Sequence, residues 1–510
     1  MSLSIEEVSD SSTREALRHL GVVCAMLVVC GLASYLVPGL DRVRPWVSGE
    51  GFPVARLFTE RDHEREQLPE FEGGEVLSGD ALGSSPAQST GGDVIPTPSN
   101  LDDGALPPDT EGPAAGTGLQ IDPSEYAGAA QAIEFPEALA NFYAALRKSA
   151  QGEAGAITRV AHYGDSAIAA DEITTTLRRK LQKRFGDAGH GFMLIAHSSM
   201  HYLHRDVAHH ESDGWEMISL VERKLKGGRY GYGGVLAKGS GGERAVFGTV
   251  KDAQVGRSVS RFELAYQKFP SGGEVRVSID GKLRSTLSTR ASEVEDAWES
   301  FEVPDGSHSI SVRANGNEVH LYGVVQERDV AGVVYDSVGM VGAQAERLLN
   351  ADPDAMAAQI AHRNPDLLVL GFGGNEAGNE WLDPERYAAT LAKVIKLMRK
   401  GKPEMSCLLF APLDQGEKNA RGDLVTLKVL PDIVEAQRRV AKQEGCAYFD
   451  TFHAMGGINS VARWYRKHPR LIGSDFRHAT PLGYDVVGNL YYQALLKGFA
   501  EYLAKAPKAQ

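Results

Sequence analysis

Strand-like and helix-like segments alternate along much of this chain, starting near residue 157. The run ITRVAHYGDSAIAADEITTTLRRKLQKRF places a short apolar strand before a turn and an amphipathic helix after it. The alternation returns from about residue 331, where the strands VAGVVYDSVG, DLLVLGFGG, MSCLLFAPL and CAYFDTF are separated by helical segments. Strands that alternate with helices of this length predict an α/β domain with a parallel sheet covered by helices on both faces.

A different pattern occupies residues 201–330. It holds many glycines and short alternating runs such as RFELAYQKF, GEVRVSIDGK and HSISVRANG. Short strands separated by Gly, Asp-Gly and Asn-Gly turns predict a β-sandwich. A module whose ends lie close together can be inserted at a surface loop, so we expect it to interrupt an α/β domain made of 121–200 and 331–510.

The N-terminal region predicts a membrane anchor and a tether. Residues 20–40 contain no charged residue over 21 positions, about the ~20 needed for a helix to span a bilayer. We predict a transmembrane helix there, after a short tail of residues 1–19; a cleaved signal peptide is the alternative. Residues 41–120 are acidic and rich in Gly, Pro and Ser, which predicts a disordered linker.

The charge distribution argues against a nucleic-acid partner. The formal net charge is -13, and residues 66–146 contain fourteen Asp or Glu and no Lys or Arg, so the rest of the chain is near +1. No basic surface follows from this balance. Of the four cysteines, Cys407 and Cys446 lie in strand-like runs. That placement favours buried thiols and leaves a disulfide between strands as the alternative.

Ser166 lies just after the first strand, at the beginning of a helix. Reacting groups of open parallel sheets gather at the carboxyl ends of the strands, and a helix N-terminus can stabilise an oxyanion. A serine is a weak nucleophile until a base accepts its proton, so a histidine must lie nearby. Taken alone, Gly-Asp-Ser is more typical of a helix cap than of a nucleophile.

Three later segments place further polar groups or free amides at strand ends. Asn375 follows the strand LLVLGF and could present its amide to an oxyanion, although a turn asparagine is the alternative. Gly339 and Gly342 follow the strand VVYDS and offer backbone amides at the same edge. Asp475 and His478 are three residues apart, which lets the carboxylate orient the imidazole. The four features occur in this order, each at a strand end.

These blocks, GDS, the Gly339/Gly342 segment, GGNE and DFRH, resemble the four characteristic blocks of the SGNH/GDSL hydrolase superfamily. The resemblance implies a flavodoxin-like three-layer α/β/α hydrolase domain with a serine esterase activity that needs no cofactor. It also implies a set of site residues: Ser166 as nucleophile, His478 as general base, Asp475 as its orienting carboxylate, and an oxyanion hole formed by Ser166, Gly342 and Asn375. The family pattern favours Gly342 over Gly339.

A narrower resemblance concerns the run HYGDSAIAADEITTTLRRKLQKRFGDAGHGF, the GGNEA block and the inserted β-module. They are similar to bacterial esterases that remove O-acetyl groups from peptidoglycan. Departures occur at Ala167, where many such enzymes have His, and in GGNE, where Gly-Thr-Asn-Glu is more usual. The inserted module resembles a carbohydrate-binding domain. Aromatic residues in its Gly-rich part are candidates for stacking on sugars, with core packing as the alternative: Trp215, Tyr230 and Tyr232.

Five histidines lie within fourteen residues, close to Asp206 and Glu211: His197, His201, His204, His209 and His210. Their spacing matches no zinc signature, so we predict a hydrogen-bonded loop and no metal site.

The sequence therefore predicts an anchored esterase that deacylates an envelope glycan, with its catalytic domain outside the cytoplasm and in the periplasm if the cell is Gram-negative. Its predicted partners are the acylated glycan and the membrane, and nothing in the sequence indicates a protein partner. Two alternatives stay open: an O-acetyltransferase that uses the same residues, and a glycan-binding protein without catalysis.

Overall fold

The computed structural model describes residues 113–222 and 224–505. The predicted tail, the transmembrane helix at 20–40 and most of the linker lie outside these residues. Within them, no helix is both long enough and apolar enough to cross a bilayer.

The first part of the described chain forms helices and the opening strand of a parallel sheet. In chain order its elements are α1 (Ala140–Ala150), β1 (Ile157–Gly164), α2 (Ser166–Ala169), α3 (Glu172–Phe185) and β2 (Gly191–Leu194).

The next part contains strands and no α-helix among its described residues. Its strands are β3 (Val207–Glu211), β4 (Glu216–Ser219), β5 (Val235–Gly239), β6 (Arg244–Thr249), β7 (Val259–Lys268), β8 (Glu274–Ile279), β9 (Lys282–Ser288), β10 (Glu295–Gly306), β11 (Ser309–Asn315) and β12 (Val319–Glu327).

The alternation of strands and helices then resumes. These elements are β13 (Gly332–Gly339), α4 (Pro353–Arg363), β14 (Leu367–Gly371), α5 (Pro384–Arg399), β15 (Ser406–Phe410), β16 (Gly416–Lys418), β17 (Leu424–Thr426), α6 (Leu430–Glu444), β18 (Ala447–Phe449), α7 (Thr451–Ala454), α8 (Ser460–Arg466) and α9 (Pro481–Lys505).

Helices α4 and α5 begin at the same kind of local signal. Asp352 and Asp383 each cap a helix by accepting hydrogen bonds from backbone N–H groups of its first turn, and a proline follows each cap. The carboxylate satisfies N–H groups that have no partner within the helix, and proline has no N–H to lose at that position. Helix α4 ends at Arg363, and the next residue, Asn364, caps it in a left-handed backbone conformation.

Five strands form the parallel sheet in the order β13-β1-β14-β15-β18. Alternate residues of a strand face opposite sides: Leu368 and Leu370 pack in one hydrophobic core, Leu367 and Val369 in the other. Helices α4, α5 and α6 cover the first side, and α1, α3 and α9 cover the second. The predicted α/β class with a parallel sheet is confirmed.

Strands β2–β12 form two antiparallel sheets. In the sequence they lie between β1 and β13, the first two strands of the parallel sheet. One has the order β10-β7-β12-β5-β4 with β2 paired to β12, and the other has the order β3-β6-β11-β8-β9. Residues from both sheets, among them Phe262, Leu264, Val275 and Ile310, share one hydrophobic core. Strand β2 lies in the range that the sequence analysis gave to the α/β domain, yet it pairs with the module.

Buried charges join the module to the parallel sheet. Arg363 of α4 donates to both carboxylate oxygens of Asp336 on β13, at 2.7 and 2.8 Å, and also binds Glu327 at the end of β12. Arg159 of β1 donates to Glu327 at 2.9 Å. Burial opposes ionisation of Glu327, but Arg363 and Arg159 together hold its pKa well below its usual value. Removal of Arg363 would leave the buried Asp336 carboxylate without its guanidinium partner, and breaking a buried pair in this way typically costs about 3–5 kcal/mol.

Cys407 of β15 and Cys446, just before β18, form a disulfide with a Cα–Cα distance of 4.6 Å. The interpretation as separate buried thiols was wrong. Strands β15 and β18 are neighbours in the sheet, and their pairing brings together two residues that are 39 positions apart. The sequence did not reveal this pairing because it does not specify which strands become neighbours.

We predict that replacing both Cys407 and Cys446 by Ala lowers the free energy of unfolding by about 2–4 kcal/mol, because the bond restricts the unfolded chain. Urea denaturation of the oxidised protein and of the double variant measures the difference. Reduction of the wild-type protein should reproduce the loss, and the reductant should leave the double variant unaffected. Equal stability of the oxidised and fully reduced wild-type protein would contradict the prediction.

Candidate active site

The parallel strands β1, β13 and β14 end level with one another. Gly164 of β1 pairs with Gly339 of β13 on one side and with Gly371 of β14 on the other. A Cβ at Gly164 would lie 2.3 Å from Cγ1 of Ile168 and 2.8 Å from the carbonyl oxygen of Gly371. Only glycine therefore lets the chain turn so tightly into α2 at this edge.

Asp165 and Ser166 follow directly at the turn. The Asp165 carboxylate caps α2 by accepting the N–H of Ala167 at 3.0 Å, and Ser166 is the first residue of that helix. The cap fixes the turn and places the Ser166 side chain at the carboxyl edge of the sheet.

A continuous line of hydrogen bonds runs from Ser166 to Asp475. Oγ of Ser166 lies 2.8 Å from Nε2 of His478, and Nδ1 of His478 lies 2.6 Å from Oδ2 of Asp475. Backbone N–H groups of Arg477 and His478 also donate to Asp475 Oδ1. The structure thus brings together three residues that the sequence predicted to act together, although 312 positions separate Ser166 from His478.

The Asp475 carboxylate stays ionised under these contacts. Partial burial raises its pKa, but the hydrogen bonds from His478 and the backbone amides outweigh burial and lower the pKa below its usual value. The side chains of Asp475 and His478 are each 50% exposed. Water can therefore reach the imidazole from the open side of the site.

Asn375 lies beyond the end of β14, on the same edge. One N–H of its side-chain amide donates to the carbonyl oxygen of Ala343 at 2.8 Å, and the group carries a second N–H. Ala343 follows Gly342, an exposed residue with a φ of 75°. The bond therefore ties the Asn375 turn to the loop that carries Gly342.

Gly339 has a packing role. A Cβ there would lie 2.0 Å from the backbone nitrogen of Ala169, so glycine is required for the approach of α2 to β13. At Gly342 a Cβ would meet nothing within 4 Å, and only the left-handed backbone favours glycine.

A cavity of about 250 Å³ opens beside Ser166. Asn375, Gly374 and His478 line it, and Ile168, Phe410 and Leu413 contribute apolar surface. Gly342 is not one of the described residues that line the cavity. The space combines a hydroxyl beside an imidazole, an amide donor and a short apolar wall, which together suit the attack of a hydroxyl on a carbonyl group.

Two buried carboxyl groups near the cavity, those of Asp165 and Glu376, were not predicted as site residues. Burial raises the pKa of Asp165 to about 6 and that of Glu376 to about 7. Glu376 accepts the N–H groups of Ala345, at 2.8 Å, and Gly373, at 3.0 Å. It therefore clamps the Asn375 turn to the loop after Gly342. Its place in the GGNE block was visible in the sequence, but its burial was not.

The predicted sugar-stacking role of Tyr230 and Tyr232 is wrong. Their side chains are buried, with 1% and 2% exposure, and no ring face is open to a sugar. The Tyr232 hydroxyl donates to Asp336 at 2.9 Å, so this residue belongs to the core beneath the module. Trp215 is half-buried, packs against the core between the two antiparallel sheets and donates to the carbonyl oxygen of Arg244.

The histidine cluster contains one group of side chains that could hold a cation. Ligand atoms of His197, His209 and Glu211 lie within 4.8 Å of one another. Nδ1 of His197 lies 2.8 Å from Glu211, so these two form a hydrogen-bonded pair. His204 is not a member of this group. It bonds to the Tyr202 hydroxyl at 2.7 Å, and burial lowers its pKa to about 4. His201 and His210 are exposed.

Part of the chain matches a known protein family. Residues 309–486 match the GDSL-like lipase/acylhydrolase family, a range that includes Asn375, Asp475 and His478 but not Ser166. No curated protein matches the chain. A solved peptidoglycan O-acetylesterase is similar, with 22% identity and a TM-score of 0.60 over 71% of this chain and 96% of that one.

Two further solved structures are less similar. A salicylyl-acyltransferase from a tetracycline biosynthetic pathway has 13% identity and a TM-score of 0.27 over 56% of this chain and 93% of that one. A family two carbohydrate esterase from Cellvibrio japonicus has 11% identity and a TM-score of 0.24 over 58% of this chain and 99% of that one.

The raised pKa of Glu376 predicts a pH dependence of stability. Between its usual value of 4.5 and about 7, the unfolded chain loses the proton that the folded protein keeps, so stability falls as pH rises. From pH 5 to pH 8 the wild-type protein should lose about 2–3 kcal/mol more than a Glu376→Gln variant. Urea denaturation at both pH values measures this. The exposed neighbour Glu380 provides the control, because Glu380→Gln should behave as wild type; an equal loss in the Glu376→Gln variant would refute the prediction.

Proposed function

We propose that this chain, a serine esterase of the SGNH/GDSL type, removes O-acetyl groups from a cell-envelope glycan such as peptidoglycan through an acyl-enzyme intermediate. The proposal depends on one observation, the hydrogen-bonded line from Ser166 through His478 to Asp475 at the edge of a cavity. The similarity in fold to a peptidoglycan O-acetylesterase supports the choice of ester and polymer. A cavity of about 250 Å³ favours a short acyl group.

In the first half-reaction Oγ of Ser166 attacks the acetyl carbonyl carbon while its proton passes to Nε2 of His478. Asp475 accepts Nδ1–H of the same ring and stabilises the positive charge that forms. The tetrahedral intermediate then expels the sugar oxygen, which takes the proton from Nε2. The sugar leaves with a free hydroxyl, and the acetyl group stays on Ser166.

Three N–H groups are proposed to stabilise the oxyanion: the amides of Ser166 and Gly342 and the side chain of Asn375. The Ser166 amide lies at the start of α2, where the helix dipole favours negative charge. The bond from Asn375 to Ala343 supports the participation of Gly342, because it ties the Asn375 turn to the loop that carries Gly342. Gly342 itself does not line the cavity, so its amide would have to reach the oxyanion from the rim. Loss of a single donor of this kind typically costs about 10²–10³-fold in kcat.

In the second half-reaction water attacks the acetyl-serine, and His478 accepts its proton and returns it to Ser166 as acetate leaves. The exposure of His478 and Asp475 favours water over a sugar hydroxyl as the acceptor, because solvent reaches half of each side chain in the described part of the chain. Acyl transfer by the same residues is the second candidate. The transferase mechanism differs only in the second half-reaction, where a sugar hydroxyl in place of water attacks the acetyl-serine.

The proposed location of the catalytic domain is outside the cytoplasm, tethered by the predicted helix at 20–40. The Cys407–Cys446 disulfide supports this location, since such bonds persist mainly in oxidising compartments. The glycan substrate would lie in the same compartment.

We predict that Ser166→Ala lowers kcat on p-nitrophenyl acetate by about 10³-fold or more, because the nucleophile is lost. Release of p-nitrophenol measures the rate. Ser271 is an exposed serine in the antiparallel module, so Ser271→Ala should keep the wild-type rate. Full activity of Ser166→Ala would contradict both the esterase and the transferase mechanism.

The natural reaction is tested by incubating the full chain with O-acetylated peptidoglycan, with and without an added oligosaccharide acceptor. We expect acetate release that the acceptor does not reduce. Acetylated oligosaccharide in place of acetate would favour the transferase. Binding to the polymer without turnover would overturn the catalytic proposal and favour a glycan-binding protein.

A further inference from the structure

A second cavity, of about 300 Å³, is lined in part by residues of the Asn375 turn. Asn375 and Gly378 line the first cavity, whereas Glu376 and Asn379 line the second. Gly378 and Asn379 are consecutive residues, with Cα atoms about 3.8 Å apart. One short turn therefore separates the two cavities, and a polymer bound at Ser166 could extend across it.

Trp381 borders this second cavity and is 90% exposed. Its indole is the most exposed of the large apolar side chains in the described part of the chain. An isolated exposed hydrophobic residue needs no explanation, but this one stands at the rim of a cavity that adjoins the catalytic one. It lies between β14 and α5 of the α/β domain, outside the module that was predicted to bind sugars.

The loop that carries Trp381 is held at both ends. The Trp381 backbone N–H donates to Oδ1 of Asn379 at 3.1 Å, which forms a tight turn. Two residues later, Asp383 caps α5. On the other side, Glu376 is clamped to Ala345 and Gly373. A fixed backbone reduces the entropy lost when a ligand covers the indole.

The polar residues of the second cavity suit a sugar. Gln344, Asn379, Asp383 and Arg386 line it, and they offer both donors and acceptors for hydroxyl groups. A pyranose ring presents an apolar C–H face and a rim of hydroxyls, which matches an exposed indole beside such groups. An apolar acyl chain offers no hydrogen-bonding groups to these side chains, so it fits less well.

We propose that Trp381 and the second cavity form a glycan subsite, in which the indole stacks on a sugar ring next to the acetylated one. The inference rests on the proposed function and adds to it the place where the polymer is held. Trp381 is a binding residue and takes no part in the chemistry at Ser166. The subsite would give the enzyme a preference for polymeric glycan over small acetyl esters.

The test compares kcat/KM for O-acetylated peptidoglycan with kcat/KM for p-nitrophenyl acetate. For a Trp381→Ala variant of the full chain we expect the ratio of the first to the second to fall about tenfold through a higher KM, equivalent to about 1.4 kcal/mol. Trp381→Tyr, which keeps a stacking ring, should restore most of the ratio. Leu283 is another exposed large apolar residue, on β9, and Leu283→Ala should leave the ratio unchanged. An unchanged ratio in Trp381→Ala would overturn the subsite.

A binding assay separates failure of the subsite from failure of the proposed function. In a Ser166→Ala background, sedimentation with insoluble peptidoglycan measures affinity without turnover. If the wild-type protein cleaves p-nitrophenyl acetate but not O-acetylated peptidoglycan, the proposed function fails and this assay decides the subsite alone. A roughly tenfold weaker binding of the Trp381→Ala/Ser166→Ala protein would support the subsite; equal binding, or no binding by either protein, would reject it.

Discussion

The register of three parallel strands underlies the rest of the site. Gly164, Gly339 and Gly371 stand opposite one another at the ends of β1, β13 and β14. The segments that carry Ser166, Gly342 and Asn375 therefore leave the sheet at one level and along one edge. A Cβ at Gly164 or Gly339 would collide with neighbouring atoms at 2.3 Å or less. The close approach of α2 to this edge thus requires a residue without a side chain on both strands.

Buried carboxyl groups hold the surroundings of this edge in place. Asp165 caps the helix of the serine, and Glu376 joins the Asn375 turn to the loop after Gly342. Both are removed from water, and this raises their pKa values. Below the sheet edge, Asp336 and Glu327 are paired with Arg363, and they connect the antiparallel module to the parallel sheet. Burial raises the pKa of Asp165 and Glu376, whereas the pKa of Glu327 is lowered. The difference arises because Glu327 faces guanidinium groups that compensate for burial.

Much of the fold could be predicted from the sequence, and less of the site. The periods of the apolar residues separated the α/β segments from the antiparallel module, because each period reflects which side of an element is buried. The ranges that fold into β1 and β13–β15 match the predicted strands. Predictions about which aromatic side chains are exposed were less accurate. Tyr230 and Tyr232, predicted as sugar-stacking candidates, lie in the core, and the exposed Trp381 was not predicted as a binding residue. Local sequence does not reveal whether an aromatic ring packs inward, since that depends on residues far along the chain.

The sequence by itself determined the candidate chemical groups and their order, Ser166, Gly342, Asn375, Asp475 and His478, because the turns that carry them are local properties of neighbouring residues. The first three follow strands as predicted, whereas Asp475 and His478 follow α8 and precede α9, so the prediction that they lie at a strand end was wrong. Only the tertiary structure decided that Ser166 and His478 lie 2.8 Å apart, that Cys407 meets Cys446, and that Glu376 is buried as a clamp. These are contacts between residues remote in sequence. They follow from the order and register of the strands, and the packing of the whole domain fixes that order.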